Sequence, residues 1–231
     1  MNDAEAIELE TGPEPRATVI WLHGLGADGY DFAPVVEELG LPERLHLRFV
    51  FPHAPMQAVT INQGMVMRAW YDITGDVRDR VGDERGVRAS QARIEALIDA
   101  EKARGISAGA VVLAGFSQGG AIALHTGLRH RERLAGILAL STYLPLPHTL
   151  APEAAAANRD APVFMAHGTY DSMIPLARAL ESRDALRAAG YAVEWREYPM
   201  AHAVCAEEIM DVATWLAAVL GDNGARGRGV T

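Results

Sequence analysis

Short apolar runs rich in Val, Ile, Leu and Phe alternate along this chain with stretches that repeat apolar residues at helical spacing. A strand buried on both faces reads as a nearly continuous apolar run, and its alternation with helices is typical of a mostly parallel sheet covered by helices on both faces. The pattern predicts an α/β fold. The predicted strands are 17–22, 47–51, 110–114, 134–140, 162–166 and 192–198, and the predicted helices are 31–40, 87–105, 118–129, 175–189 and 204–220.

The length and the local composition predict one domain. A chain of 231 residues fits a single sizeable core. We expect the domain to cover residues 17–220, preceded by an N-terminal extension (1–16) and followed by a disordered tail (221–231). Residues 72–86 and 141–161 read as irregular. The second of these segments is too short for a large lid domain.

The charge and the hydropathy exclude several classes of protein. The formal net charge is −9 at pH 7, which argues against nucleic-acid binding and against anchoring on anionic lipid. No apolar run approaches the roughly 18–20 residues of a membrane span, and the acidic first fifteen residues lack the apolar core of a secretory signal. The single cysteine, Cys205, cannot form an internal disulfide. We therefore expect a cytoplasmic protein without integral membrane association.

A G-x-S-x-G pentapeptide, Gly115 to Gly119, lies between the apolar strand "AVVLAG" and an apolar helix. Such glycines allow the sharp strand-to-helix turn that exposes a nucleophilic serine above a sheet. The turn also directs the Gln118 N–H and the positive end of the helix dipole toward a developing oxyanion. The alternative is a serine that only caps the helix. The context favours Ser117 as a nucleophile.

A serine nucleophile needs a base and an acid that orients the base. In folds of this kind these residues follow in the order Ser, Asp or Glu, then His. Asp171 follows a strand and a glycine turn and precedes the helix that starts at Pro175, and His202 follows the last strand. Each could be an ordinary turn residue on its own. Because all three candidates occupy strand-end loops in the required order, we interpret Ser117, Asp171 and His202 as a catalytic triad.

Other reactive residues fit the chemistry less well. Cys205 lies at a helix start but no glycine turn presents it, so it reads as a small packing residue. No H-E-x-x-H or C-x-x-C pair occurs, and we expect neither a metal nor a cofactor. Among the other histidines, His167 lies upstream of Asp171, where we expect it to shape the turn, and His125 falls within a helix. Three more have no strand-end position after the acid, namely His53, His130 and His148.

A second glycine pattern, Gly24, Gly26 and Gly29, matches the G-x-G-x-x-G of dinucleotide-binding turns. That function needs an acidic residue about 20 positions later, at the end of the next strand. Here the next strand ends in Pro52 and His53. We therefore interpret these glycines as a loop shaped for something other than phosphates.

Six segments together resemble a known enzyme family: "WLHGLGADG", "RAWYDI", "LAGFSQGGAIAL", "LSTYLPL", "HGTYDSMIP" and "YPMAHAV". They are similar to the carboxylesterases that include the acyl-protein thioesterases and the small bacterial carboxylesterases, over about residues 17–220. The resemblance implies an α/β-hydrolase fold. It also places Ser117, Asp171 and His202 at the positions of the family's triad.

The resemblance further implies an oxyanion hole. The loop after the first predicted strand would supply the N–H of Leu25, and the turn after the nucleophile would supply that of Gln118. The glycines let this loop pass close to the nucleophile. His23 would fix the loop by hydrogen bonding rather than serve as the base.

The resemblance also implies a substrate pocket. The resemblance places Met65, Trp70, Tyr143 and Leu144 near the nucleophile, where they would form an apolar pocket. For Met65 and Met67 a role in core packing is equally consistent with the sequence. Relatives that remove palmitate from proteins commonly carry tryptophan where Tyr143 stands, which weakens a specific prediction of that activity.

We predict a serine hydrolase that cleaves carboxylic esters with short- to medium-chain acyl groups. Acyl-thioesterase or lysophospholipase activity with the same triad is the alternative within enzymes. A catalytically silent member of the fold that only binds a ligand is the alternative outside them. The expected partner is a small ester or thioester substrate, and the resemblance adds a possible homodimer.

Overall fold

The computed structural model describes residues 6–75 and 81–221 of the chain. Its centre is a seven-stranded sheet, and two small two-stranded sheets lie beside it. The strands, numbered along the chain, are β1 (Ala6–Glu10), β2 (Ala17–Leu22), β3 (Leu47–Pro52), β4 (Met56–Val59), β5 (Met65–Arg68), β6 (Ile73–Thr74), β7 (Val81–Gly82), β8 (Val111–Phe116), β9 (Gly136–Leu140), β10 (Val163–Gly168) and β11 (Val193–Tyr198).

The main sheet has the strand order β1-β3-β2-β8-β9-β10-β11. All neighbouring strands run parallel except β1, which pairs antiparallel with β3. The carboxyl ends of six strands therefore meet at one edge of the sheet. In open parallel sheets the ligand crevice lies at that edge.

Helices cover both faces of the sheet. On one face α1 and α6 enclose an apolar cluster that includes Trp21 and Trp215. On the other face α2, α3 and α5 pack on clusters that include Ile20 and Leu113. Ile20 and Trp21 point to opposite faces because side chains alternate along a strand. The helices are α1 (Val35–Glu38), α2 (Glu84–Ala103), α3 (Gln118–Arg129), α4 (Leu150–Glu153), α5 (Leu176–Ala188) and α6 (Ala206–Gly221).

All six predicted strands are present, with ends that differ from the prediction by at most two residues. The predicted helix over 31–40 is wrong in its extent, since only α1 is helical. The residues before it form tighter turns, in which the N–H of Val35 donates to Phe32 O (3.1 Å) and that of Glu37 to Pro34 O (3.2 Å). A proline disfavours helical backbone in the residue before it. Pro34 therefore delays the start of the helix.

The first strand, β1, lies within the segment 1–16 that the sequence assigned to an extension. Arg48 on β3 fastens this strand, with ion pairs to Glu8 (2.6 Å) and Glu10 (2.9 Å), and it also contacts the buried Glu101 of α2 (3.2 Å). Edge strands with exposed charges lack the apolar run that reveals a central strand. The sheet therefore begins before the predicted domain boundary.

The segments predicted as irregular contain short elements. In 72–86 the pair β6–β7 forms and α2 starts, three residues before the predicted helix, while residues 76–80 lie outside the described residues. The segment 141–161 contains only α4 and two 3₁₀ turns, and no described segment forms a lid domain. The predicted disordered tail also lies outside the described residues, apart from Gly221 at the end of α6. None of the helices in the described ranges has the length and apolar character needed to cross a bilayer.

Candidate active site

Ser117 occupies the sharp turn between β8 and α3. Its backbone has φ 55° and ψ −121°, a left-handed conformation that is strained for a residue with a side chain. The Ser117 N–H donates to Leu140 O of β9 (2.8 Å), which holds the turn on the sheet. A Cβ at Gly119 would collide with the backbone oxygens of Leu22 and His23. Glycine is therefore needed for α3 to approach the end of β2.

Ser117, His202 and Asp171 form one chain of hydrogen bonds. The Ser117 Oγ lies 2.8 Å from His202 Nε2, and Asp171 Oδ2 lies 2.7 Å from His202 Nδ1. The serine side chain makes no capping bond to its helix. The ring of Phe116 packs against the imidazole, with the ring centroids 4.8 Å apart. The structure thus brings together the three residues that the sequence singled out.

The loop that carries His202 is in close contact with the end of β10. A Cβ at Gly168 would collide with the backbone oxygens of Met200 and Ala201. Glycine at the end of β10 therefore lets this loop approach the turn that carries Asp171. The two turns are packed against each other by main-chain contact.

The Asp171 carboxyl is fully buried but well supplied with donors. Its Oδ1 accepts the N–H groups of Met173 and Ile174, both at 2.8 Å. Burial acts to raise the pKa of Asp171, but the hydrogen bonds from His202 and Ile174 outweigh it and hold the pKa below its usual value. His167 Nε2 donates to Ile174 O (2.8 Å) and lies 3.4 Å from Asp171 Oδ2. His167 thus shapes the turn, in the way its sequence position predicted.

The loop after β2 is fixed by His23. The Nε2 atom accepts the Ala54 N–H (3.0 Å), so Nδ1 carries the proton that bonds Gly24 O (2.7 Å). Burial lowers the pKa of His23, which keeps this neutral tautomer. The carbonyl and the N–H of a trans peptide point in opposite directions. The bond to Gly24 O therefore sets the direction of the Leu25 N–H, and Leu25 lines the same cavity as Ser117.

Trp70 was predicted to contact substrate, but its side chain does not line the cavity of Ser117. Its backbone N–H donates to Gln118 Oε1 (2.7 Å) and its indole N–H to His23 O (2.9 Å). The Gln118 side chain in turn donates to Tyr71 O (2.7 Å). Both N–H groups of Trp70 thus donate to the segments that flank the nucleophile. Trp70 supports these loops from behind and is not among the described residues that line the cavity.

A cavity of about 290 Å³ contains Ser117 and His202. Its lining is mostly apolar, as expected for a site that binds an organic ligand. The described residues that line it are Gly24, Leu25, Ala27, Asp31, Phe32, Ile61, Asn62, Tyr71, Ile73, Phe116, Ser117, Gln118, Tyr143, Met173 and His202.

The predicted substrate-binding residues occupy different places relative to this cavity. Tyr143 lines it. Leu144 lines a neighbouring cavity instead, because its N–H is bonded to Ser182 Oγ of α5 (2.9 Å). Met65 pairs with Val59 in the β4–β5 hairpin, and its side chain is 64% exposed outside the cavity. The prediction of substrate contact from Met65 is therefore not supported by its position.

Sequence reasoning missed several apolar lining residues, among them Phe32, Ile61, Ile73 and Met173. They come from four separate segments, so no local periodicity connects them. Only Met173 carried a usable signal, since it lies two residues after Asp171. The other three could be found only once the chain was folded.

The remaining reactive residues have structural surroundings. Cys205 is half-buried and packs against the apolar cluster under α6. His125 lies in α3, where burial lowers its pKa to about 3. The glycines of the loop after β2 do not open a helix, since α1 begins only at Val35. Within 6–75 and 81–221, no group of three or more His, Cys, Asp or Glu residues is arranged to hold a metal ion.

Known proteins resemble this chain over most of its length. The phospholipase/carboxylesterase family model matches residues 2–220. The chain is 41% identical over 212 residues to acyl-protein thioesterase 1 of Neurospora crassa, with 87% of this chain and 85% of that protein covered. It is 38% identical over 216 residues to acyl-protein thioesterase 1 of Yarrowia lipolytica, with 91% and 95% covered.

Solved structures share the fold over nearly their whole length. Arabidopsis thaliana SOBER1 superposes with a TM-score of 0.83 at 30% identity, covering 89% of this chain and 99% of that one. Zea mays acyl-protein thioesterase 2 gives 0.82 at 29% identity, covering 93% and 99%. These matches confirm the predicted α/β-hydrolase fold. With a family model that spans all but the ends of the sequence, the chain belongs to the phospholipase/carboxylesterase family of hydrolases.

Proposed function

We propose that this chain is a serine hydrolase that cleaves carboxylic esters with short- to medium-chain acyl groups. The observation that carries the proposal is the unbroken hydrogen-bond path from Ser117 Oγ to His202 to Asp171, with distances of 2.8 and 2.7 Å. A serine hydroxyl is a weak nucleophile unless a base takes its proton. The path supplies that base, together with a buried carboxylate that orients it.

The proposed reaction has two acyl-transfer steps. The Ser117 oxygen attacks the ester carbonyl carbon while His202 Nε2 takes its proton. Collapse of the tetrahedral intermediate breaks the bond to the alcohol oxygen, which leaves with the proton from Nε2. Water then attacks the acyl-enzyme, giving its proton to His202, and the acid is released as Ser117 is reprotonated. Asp171 stays ionised and stabilises the imidazolium in both steps.

The oxyanion is stabilised by main-chain amides in this proposal. Gln118 is the first residue of α3, so its N–H has no acceptor within the helix. The Leu25 N–H is directed by the bond between His23 and Gly24 O. Loss of one such donor costs about 100- to 1,000-fold in kcat in enzymes where it has been measured. Both residues line the cavity of Ser117.

A thioester substrate is the second candidate. The relatives at 41% and 38% identity are named acyl-protein thioesterases, and a thiolate can replace the alcohol as leaving group without any change in the roles above. Ester and thioester substrates with the same acyl chain distinguish the two. A kcat/KM at least tenfold higher for the thioester would make thioesterase activity the primary function.

The nucleophile is tested by Ser117→Ala. We expect ester hydrolysis to fall by at least about a thousandfold, because the residual rate comes only from binding and the oxyanion hole. The control is Ser107→Ala, an exposed serine outside the cavity. Full activity in Ser117→Ala would refute the proposal.

A fluorophosphonate probe separates an enzyme from a catalytically silent binding protein. Only a serine activated by a base reacts with such a probe at a useful rate. We expect labelling of the wild type and of Ser107→Ala, and no labelling of Ser117→Ala. A folded wild-type protein that is not labelled would favour the silent alternative.

A further inference from the structure

A second cavity, of about 480 Å³, adjoins the one that holds Ser117. It lies between the segment after β9 and the start of α5, and Tyr143 borders both cavities. The Tyr143 side chain is itself only 4% exposed. Tyr143 therefore stands as a wall between the catalytic cavity and this second space.

The Tyr143 side chain is held through its hydroxyl and through the face of its ring. Its hydroxyl lies 2.9 Å from the hydroxyl of Tyr71, which lines the catalytic cavity. The guanidinium of Arg178 lies 3.7 Å from the Tyr143 ring centroid, within the range of a cation–π contact. Tyr71 is backed by Gly82, where a Cβ would lie 2.9 Å from the Tyr71 ring. The two tyrosines thus form one fixed partition.

The backbone beside Tyr143 is fastened as well. The Leu144 N–H donates to Ser182 Oγ (2.9 Å), and that hydroxyl donates to Arg178 O (2.8 Å). These bonds join the segment after β9 to α5, the helix that also carries the Arg178 side chain. A side chain anchored through its ring, its hydroxyl and its neighbouring backbone does not swing aside at low cost.

The sizes of the two cavities indicate that the partition limits the length of chain that the catalytic cavity can hold. Ligand cavities commonly measure about 300–1,000 Å³, so the catalytic cavity lies at the lower end and offers little room for a long chain. The second cavity is lined by apolar residues together with a few charged and polar ones. Its lining consists of Gly82, Tyr143, Leu144, Pro145, Leu146, Pro147, His148, Arg178, Glu181, Ser182 and Ala185.

We propose that the Tyr71–Tyr143 partition, held by Arg178, sets the longest acyl chain that this hydrolase accepts, and that the second cavity is an extension subsite for longer acyl chains once Tyr143 is removed. The inference rests on the proposed ester hydrolysis at Ser117. It adds Arg178 and the second cavity to the determinants of specificity.

The test is the chain-length profile of nitrophenyl esters from C2 to C16. In Tyr143→Ala we expect the ratio of kcat/KM for C12 to that for C4 to rise at least about tenfold, mainly through a lower KM, since two or three further methylene groups leave water. Arg178→Leu should raise the ratio two- to threefold by loosening the ring. The matched control is Arg183→Leu on the same helix, whose guanidinium lies over Trp195 instead, and its profile should equal that of the wild type.

A filling substitution tests where the longer chain goes. Ala185 is exposed and lines the second cavity, so Ala185→Phe in the Tyr143→Ala background should return the C12 to C4 ratio toward the wild-type value. A gain that survives this substitution would overturn the assignment of the subsite. If Tyr143→Ala does not fold, Tyr143→Leu replaces it with the same expected direction.

The outcomes separate the partition from the reaction. A folded, fluorophosphonate-reactive Tyr143→Ala with the wild-type chain-length ratio would refute the partition and leave ester hydrolysis intact. A wild-type protein that hydrolyses no ester of the series would refute the proposed function itself.

Discussion

The turn after β10 and the first turn of α6 each bury a carboxyl group, yet the two groups differ in charge. Asp171 receives hydrogen bonds from His202 and from two main-chain N–H groups, and its pKa is held low despite burial. Neither oxygen of Glu208 has a hydrogen-bond partner among the described residues. Burial raises the pKa of Glu208 to about 8, and the nearby Cys205 N–H, which makes no hydrogen bond of good geometry to the carboxyl, offsets only part of this effect.

The surroundings of the two groups explain this difference. Glu208 lines a small apolar cavity with Trp21, Phe32 and Val35, where the loss of water is left largely uncompensated. The Asp171 side chain is also inaccessible to solvent, but it sits where three donors converge. Depth alone therefore does not decide whether a carboxyl is charged. The supply of donors does, and at Asp171 the turn after β10 and His202 supply them.

The largest expected effect tests the charged member of the pair. In Asp171→Asn the side-chain oxygen keeps the N–H groups of Met173 and Ile174, which leaves the NH₂ group facing His202 Nδ1. The imidazole must then carry its proton on Nε2 and cannot accept one from Ser117. We expect kcat for ester hydrolysis to fall about ten thousandfold, while exposed Asp184→Asn changes little. An Asp171→Asn enzyme within tenfold of wild type would contradict the role of the carboxylate.

Because the pKa of Glu208 is raised in the folded protein, we expect the free energy of unfolding to depend on pH. Between pH 4.5 and about 8 the folded protein holds a proton on Glu208 that the unfolded chain has lost. The free energy of unfolding therefore falls as pH rises through this window, by at most about 1.4 kcal/mol per pH unit. Above about pH 8 both states are ionised and this contribution becomes constant.

Glu208→Gln removes the titration and keeps the shape. We expect it to match the wild type near pH 5 and to be more stable by about 3 kcal/mol at pH 8, measured by urea unfolding at several pH values. Burial raises the pKa of Tyr198 above its usual value, so this neighbouring phenol stays protonated throughout the window in both proteins. The matched control is exposed Glu207→Gln, which should keep the wild-type slope. Equal slopes in Glu208→Gln and the wild type would show that Glu208 is charged.

The smallest expected effect concerns two buried histidines, His23 and His125, which differ in the same way in what they bond. His23 uses both ring nitrogens to hold the loop of Leu25, whereas within the described part of the chain the His125 ring bonds only Gln91 and does not line the cavity. We expect His23→Leu to lower kcat ten- to a hundredfold with little change in KM, because a misdirected Leu25 N–H weakens binding of the transition state alone. His125→Leu controls for the loss of a buried histidine. A raised KM with unchanged kcat in His23→Leu would place the defect in substrate binding.

The sequence was informative wherever a residue follows a buried strand. Ser117, Asp171 and His202 each come after an apolar run that is visible in the sequence, and the carboxyl ends of parallel strands share one edge. Their approach therefore follows from the order of the elements. Their hydrogen-bond distances and the low pKa of Asp171 do not, since these depend on turns that pack only in the folded chain.

The cavity walls were less predictable for a physical reason. Ile61 and Met65 are four residues apart and equally apolar in sequence, yet Ile61 lines the catalytic cavity and Met65 faces outward. The pairing of β4 with β5 decides between them, and this pairing is a tertiary property. Strand β1 was missed because its glutamates interrupt the apolar pattern.

The left-handed backbone of Ser117 lowers the stability of this protein, whereas the Ser117 hydroxyl is needed for the proposed activity. Glycine adopts that conformation freely, so replacing the serine would relieve strain of about 1–3 kcal/mol while deleting the hydroxyl. A directed-evolution screen that rewards heat resistance alone would thus drift toward a robust but inert variant. Engineering of this chain for industrial conditions needs a turnover selection at every round, with stabilising changes sought elsewhere in the molecule.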